Sequence, residues 1–167
     1  MTLTLFRAGA IITGQYRYLL WRTWNPDAAQ VAFVMCNPST ADGSSDDPTI
    51  RRCMDFAQSW GFGSLAVGNL FAYRSPSPRD LLTVADPVGP DNDAHLVQIA
   101  RQSACLIAAW GCAGRYRERD RAVMEKLSAH SPRMVCLGRN ADGSPKHPLY
   151  IRKGTERQCF LSSLPML

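Results

Sequence analysis

The chain has 167 residues, of which 46% are hydrophobic and 20% charged, which suits one ordered domain with one buried core and excludes a disordered chain. No apolar run is long enough for a membrane span, and the opening MTLTLFRAGAII has no basic leader and no cleavage-type sequence, so a cytoplasmic protein without membrane contact is expected. The net charge of +5 arises from 19 basic against 14 acidic residues, and every basic residue except Lys126, Lys146 and Lys153 is arginine; this suits a polyanionic partner, and a general compositional bias toward arginine explains it equally well.

Six cysteines (Cys36, Cys53, Cys105, Cys112, Cys136 and Cys159) are scattered without a Cys-x-x-Cys pair. Cys36, Cys105 and Cys136 fall in apolar, strand-like runs where cysteine behaves as a small hydrophobe. Disulfides, metals and cofactors are therefore not expected.

In chain order, residues 4–23 predict a β-hairpin. Runs 5–13 and 16–24 meet at Gly14-Gln15, and in the second run Tyr16, Tyr18 and Leu20 alternate against Arg17 and Leu19. Tyr16, Tyr18, Trp21 and Trp24 suit strand packing, with base stacking as the competing use. Residues 31–36 predict a buried strand that ends abruptly in Asn37-Pro38-Ser39-Thr40-Ala41-Asp42. Asp46-Asp47-Pro48 then reads as a helix start, with Ile50, Cys53, Met54, Ala57 and Trp60 inward and a stop at Gly61. Arg51 and Arg52 oppose the dipole of that helix; a carboxylate, a bound phosphate or simple exposure would each account for them.

A second strand spans residues 64–68 and ends near Asn69. Residues 74–92 form a long Pro- and Asp-rich connection with one helical turn near 80–84, a length common in lids and binding loops. A helix over 91–103 places Ala94, Val97 and Ala100 on one face. A third strand, 105–109, ends in Trp110-Gly111. A helix over 115–130 turns Val123, Met124 and Leu127 inward and begins with a solvated charged face, RYRERDR. A fourth strand, 134–137, leads into the loop RNADGSPKHPLYI.

The sum is a single domain over 1–167, with a hairpin at 1–25, an α/β core at 31–151 and a C-terminal cover at 152–167. The expected architecture is a three-layer α/β sandwich with a mostly parallel central sheet of about four strands and the hairpin at one edge. Carboxyl ends of parallel strands share one edge, so Asn37 to Thr40, Asn69 with Phe71, Trp110-Gly111, and the loop from Arg139 to His147-Pro148 should meet at one cleft. Such a polar, weakly charged pocket suits a neutral hydrogen-bonding ring such as a nucleobase. Asp46 and Asp47 are assigned to helix capping. Asp42 is better placed for chemistry. His147, on a loop with Gly143, Pro145 and Pro148, is either a buried, hydrogen-bonded histidine or part of the site.

The order of motifs resembles the uracil-DNA glycosylase superfamily. CNPST is similar to its first motif, GNLFAYR to its second central strand, IAAWGCAG to its strand ending in Trp-Gly or Leu-Gly, and KHPLY to its His-Pro-Ser loop. The chain also resembles a widespread bacterial and phage family of unassigned function, through NPSTAD, DDPTIRR, NLFA, AAWG and the HPLY ending over residues 32–151. The first resemblance implies a glycosylase-like fold and cleavage of an N-glycosidic bond. Asn37 would orient water, Asn69 would read the base edge, and His147 would stabilise the departing base. Asp42 joins Asn37 and His147 as a catalytic candidate. The substrate-binding candidates are Pro38, Ser39, Thr40, Asn69, Phe71, Trp110 and Gly111 from the first three strand ends, and Arg139, Lys146, Pro148 and Leu149 from the last. Arg51 and Arg74 are the phosphate-contact candidates. The implied partner is nucleic acid, DNA foremost, or a nucleotide. Three departures stand out: Ser39 replaces an aromatic wall, Leu149 replaces the serine, and Asn37 stands where a carboxylate would activate water more strongly. A non-catalytic binder of modified nucleic acid or nucleotide, and a base-modifying hydrolase or transferase, are the alternatives.

Overall fold

The computed structural model describes residues 6–130 and 133–162. The predicted strand start at Leu5 and the last part of the C-terminal cover, 163–167, lie outside the described residues. The elements are β1 (Arg7–Thr13), β2 (Tyr16–Thr23), β3 (Gln30–Met35), α1 (Pro48–Ser59), β4 (Ser64–Asn69), α2 (Asn92–Gln102), β5 (Cys105–Ala108), α3 (Arg119–Ser128), β6 (Arg133–Cys136) and β7 (Gln158–Ser162).

These strands form one mixed, seven-stranded sheet in the order β1-β2-β4-β3-β5-β6-β7. The middle strands β4-β3-β5-β6 are parallel. The hairpin adds antiparallel to β4 on one side, and β7 adds antiparallel to β6 on the other. The expectation of about four strands plus a hairpin is therefore corrected by the seventh strand, which comes from the segment read as a simple cover.

β3 is flanked by β4 on one side and β5 on the other. Right-handed crossovers leaving in opposite directions place α1 and α2 on opposite faces of the sheet. Strand alternation then divides the core in two. Val31, Phe33 and Met35 pack with Ile50, Cys53, Phe56 and Ala57 of α1. Ala32, Val34 and Cys36 pack with Leu96, Ile99 and Ala100 of α2 and with Val123 and Leu127 of α3. Gly68 lets α2 sit close, since a Cβ there would lie 2.7 Å from a Leu96 methyl.

Helix α1 starts as its sequence predicts: Asp47 caps it, accepting from the Ile50 N–H at 2.8 Å, and Pro48 fills its first position. Helix α2 is rotated from the expected face, because Ala94 is exposed and Leu96, Ile99 and Asn92 are buried beside Ala100. Helix α3 begins later than predicted. Residues Cys112–Glu118 form 3-10 turns, with Arg117 and Glu118 both in the left-handed region. Arg119, inside the stretch read as a solvated face, is buried, paired to Asp93 and bonded to the Leu70 carbonyl at 2.7 Å.

Candidate functional site

The cavity of interest, about 360 Å³, lies at the carboxyl edge of the parallel strands, where the chain leaves β3 toward α1 on one face and leaves the neighbouring β5 toward α3 on the other. All four predicted strand ends reach it. Asn37 follows β3, Asn69 ends β4, Trp110 and Gly111 follow β5, and His147 comes from the loop after β6. Ser39, Ser75 and Cys112 complete much of the polar wall, and the N-terminal turn of α1 contributes Asp47, Thr49 and Ile50.

Hydrogen bonds set the polarity of each key group. Asn37 donates its amide hydrogens to the carbonyls of Ser75 (3.0 Å) and Pro38 (3.2 Å). Two acceptors on one side identify that atom as Nδ2 and leave Oδ1 as the free acceptor. Asn69 has the opposite bias. Its Oδ1 lies 3.5 Å from the Arg17 guanidinium, so the amide nitrogen is the group left to donate. The Asn69 backbone is held in turn by Asn92, whose Nδ2 donates to the carbonyls of Asn69 (2.9 Å) and Leu70 (3.0 Å). His147 accepts the Leu149 N–H at Nδ1 (3.3 Å), which leaves Nε2 as the protonated nitrogen. Burial holds the His147 pKa below its ordinary value, against the opposing field of Asp47, so the ring is neutral at neutral pH.

Two groups at the site escaped sequence reasoning. Asp47 does cap α1, but it also lines the cavity, and its second carboxylate oxygen has no partner among the described residues. Capping and site duty fall on the same side chain. Arg17 was assigned to an ordinary alternating strand. In the structure Ile11 faces Leu19 and Ile12 faces Arg17, which leaves Tyr18 as a bulge. Tyr18 stacks on His95 of α2 and Leu19 packs into the α2-side core, while Leu20 packs on the α1 side. The bulge thus resets the alternation and turns Arg17 toward the α1 side, where the cavity lies. A charged residue inside an apolar-biased run was the available signal.

The remaining candidates divide. Ser39, Trp110 and Gly111 line the cavity, and the indole N–H of Trp110 is buried without an acceptor. Pro38 is buried and gives its carbonyl to Asn37 and to the Ser75 N–H. Pro148 and Leu149 sit behind His147 in a short 3-10 turn. Lys146 is exposed on an adjoining groove that shares Gly111, Cys112 and His147 with the cavity. Thr40 is exposed and Phe71 is fully buried in the core against Tyr116, and neither lines the cavity. Arg139 lies over the Phe160 ring in a separate surface groove. Asp42 lies outside the lining as well: its carboxylate accepts the N–H groups of Ser44 and Ser45, which depress its pKa and close a turn. Arg51 is exposed and bonded to the Asp46 carbonyl, and Arg74 stands close enough to disfavour the charge on Arg17 without lining the cavity.

Among the described residues, no group of three or more His, Cys, Asp or Glu side chains is arranged to hold a metal ion, and no helix is long and apolar enough to cross a membrane.

Residues 17–149 match the model of a protein family described as "Protein of unknown function (DUF1643)", and the chain belongs to that family. Neither a curated protein nor a solved structure matches it.

Proposed function

We propose that this member of the DUF1643 family hydrolyses the N-glycosidic bond of a base, ordinary or modified, in nucleic acid or in a nucleotide. The observation that carries this proposal is the meeting of Asn37, Asn69 and His147 in one cavity from three strand ends. Its volume is in the usual range for a small-ligand site. Uracil-DNA glycosylase-like architecture is part of the same proposal, supported by the order of motifs along the parallel strands.

In this mechanism Asn37 Oδ1 accepts a hydrogen bond from water and directs it at the anomeric carbon. The new carbon–oxygen bond forms as the carbon–nitrogen bond breaks, and the bonding pair leaves with the base. Asp47 faces the cationic sugar and takes the proton released by the water. The Asn69 amide N–H and the neutral His147 Nε2–H donate to the oxygens on which the departing base gathers charge. Base release from a panel of modified-base oligonucleotides and free nucleotides, read by chromatography of the liberated base, tests the proposal. Release of at least one base with an abasic product is the expected outcome; no release from any member opposes it.

One observation favours a second possibility, a base-modifying hydrolase or transferase. Cys112 lines the same cavity, is exposed, and accepts a hydrogen bond from the Ser144 hydroxyl at 3.4 Å. Formation of a covalent adduct on Cys112, visible by intact mass, would mark that chemistry.

A further inference from the structure

Among the described residues three arginines are almost completely buried, and they compare directly. Arg22, 1% exposed, is paired with Asp46 at 2.8 Å and also donates to the carbonyls of Gly9, Trp21, Asp42 and Ser45. Arg119, 7% exposed, is paired with Asp93 and bonded to the Leu70 carbonyl. Arg17 is 2% exposed and has no carboxylate within ion-pair distance among the described residues. Of its five N–H groups, one donates to the Ala41 carbonyl at 2.9 Å and one reaches Asn69 Oδ1 at the long distance of 3.5 Å. Its Nε–H is buried with no acceptor. The unpaired arginine is the one that lines the cavity.

A buried guanidinium is retained at a cost unless an anion compensates it. Asp47 supplies the strongest favourable field on Arg17, but its capping bond to Ile50 ties it to α1, out of ion-pair range. Desolvation still outweighs that field and lowers the Arg17 pKa to about 10, so the group remains charged at neutral pH. Among the other groups of the cavity, the Asn69 amide and the His147 Nε2–H are donors, Asn37 Oδ1 and one Asp47 oxygen are acceptors, and the Ser39 and Thr49 hydroxyls can serve as either. Added to the unmet Arg17 N–H groups, these leave room for an acceptor-only group.

We propose that Arg17 is the anion receptor of this cavity, completing its charge balance only when a ligand oxyanion sits beside Asn69. That oxyanion belongs either to a departing base or to a phosphate. The first identity rests on the glycosidic-bond proposal, and the anion site itself does not.

Calorimetric titration of the full chain with inorganic phosphate, with barbiturate (a uracil-like ring that is ionised at neutral pH) and with neutral uracil separates these sources. Wild type should bind at least one of the two anions, and Arg17→Gln should weaken that binding by about tenfold or more, the loss of one charge-assisted contact. Uracil affinity should change far less. Phosphate binding without barbiturate binding identifies a phosphate subsite, and the reverse identifies a base-anion subsite. Arg17→Lys, which keeps the charge, should retain part of the affinity. Urea unfolding supplies the second measurement. Arg17→Met should be as stable as wild type or more stable, while Arg22→Met, which strands Asp46 and removes five hydrogen bonds, should be clearly destabilised. The proposal is overturned if neither anion binds wild type, if Arg17→Gln binds them unchanged, or if Arg17→Met loses as much stability as Arg22→Met. Each result is independent of whether any base is released.

Discussion

Asn92 is the hidden support of the candidate site, and its removal has a calculable cost. The side chain is fully buried, and its Nδ2 donates to the carbonyls of Asn69 and Leu70 at 2.9 and 3.0 Å. Asn92→Ala deletes both bonds, each worth about 1 kcal/mol net. The Leu70 carbonyl keeps a second donor in Arg119 Nε, and the substitution also removes Asn92 Oδ1, a buried acceptor without a partner. These two facts limit the loss to about 2 kcal/mol, or about 4–8 °C in the unfolding midpoint for a chain of this size. Asn92→Asp has nearly the same shape but points a carboxylate at two carbonyl oxygens. At neutral pH it should cost about 4 kcal/mol or more, because a buried charge is left unpaired. Burial raises the pKa of that aspartate in the folded state above its unfolded value, so the excess penalty should shrink as pH falls toward 4. Urea unfolding of the three proteins at pH 7 and at low pH measures both effects. The reasoning is refuted if Asn92→Ala lies within about 0.5 kcal/mol of wild type, or if Asn92→Asp is no worse than Asn92→Ala.

Two further substitutions or titrations probe the cavity wall. A Cβ at Gly114 would lie 2.2 Å from the Trp110 ring and 2.8 Å from a Leu70 methyl; Gly114→Ala should therefore cost about 1–3 kcal/mol and shift the Trp110 fluorescence, and an unchanged spectrum and midpoint would contradict the packing described. His147 should titrate in the folded protein below its ordinary value of 6.5. Because the folded state resists its protonation, its contribution to stability is intact above about 6.5 and declines as pH falls through that value toward the folded pKa. NMR titration of the imidazole, compared with the unfolding midpoint of His147→Gln over the same range, checks this, and a pKa at or above 6.5 would refute the burial argument.

Elements written by local signals were legible in the sequence. The Asp47-Pro48 cap and the spacing of Ile50, Cys53 and Ala57 define α1, and buried apolar runs define β3 to β6. Three features were not legible, each for a tertiary reason. Strand β7 carries no sequence signal because residues 158–160 are exposed or half-exposed and show no buried alternation. Helix α3 starts late because buried Arg119 is anchored to Asp93 and Leu70, forcing Arg117 and Glu118 into conformations that no glycine announces. Arg17 enters the site through a one-residue bulge, and a slip of one residue exchanges the two faces of a strand. At the site, Asn37, Asn69, Trp110 and His147 could be placed together because the carboxyl ends of parallel strands share an edge. Asp42 could not be excluded in advance, since its capture by Ser44 and Ser45 depends on the turn they form.

The most direct test of the proposed chemistry is single-turnover base release by wild type and Asn37→Ala, with binding of the same substrate measured in parallel. If Asn37 orients the attacking water, release should fall by about a hundredfold or more while the dissociation constant changes by less than about threefold. Unchanged release in Asn37→Ala, or tight binding by wild type with no release at all, would contradict it.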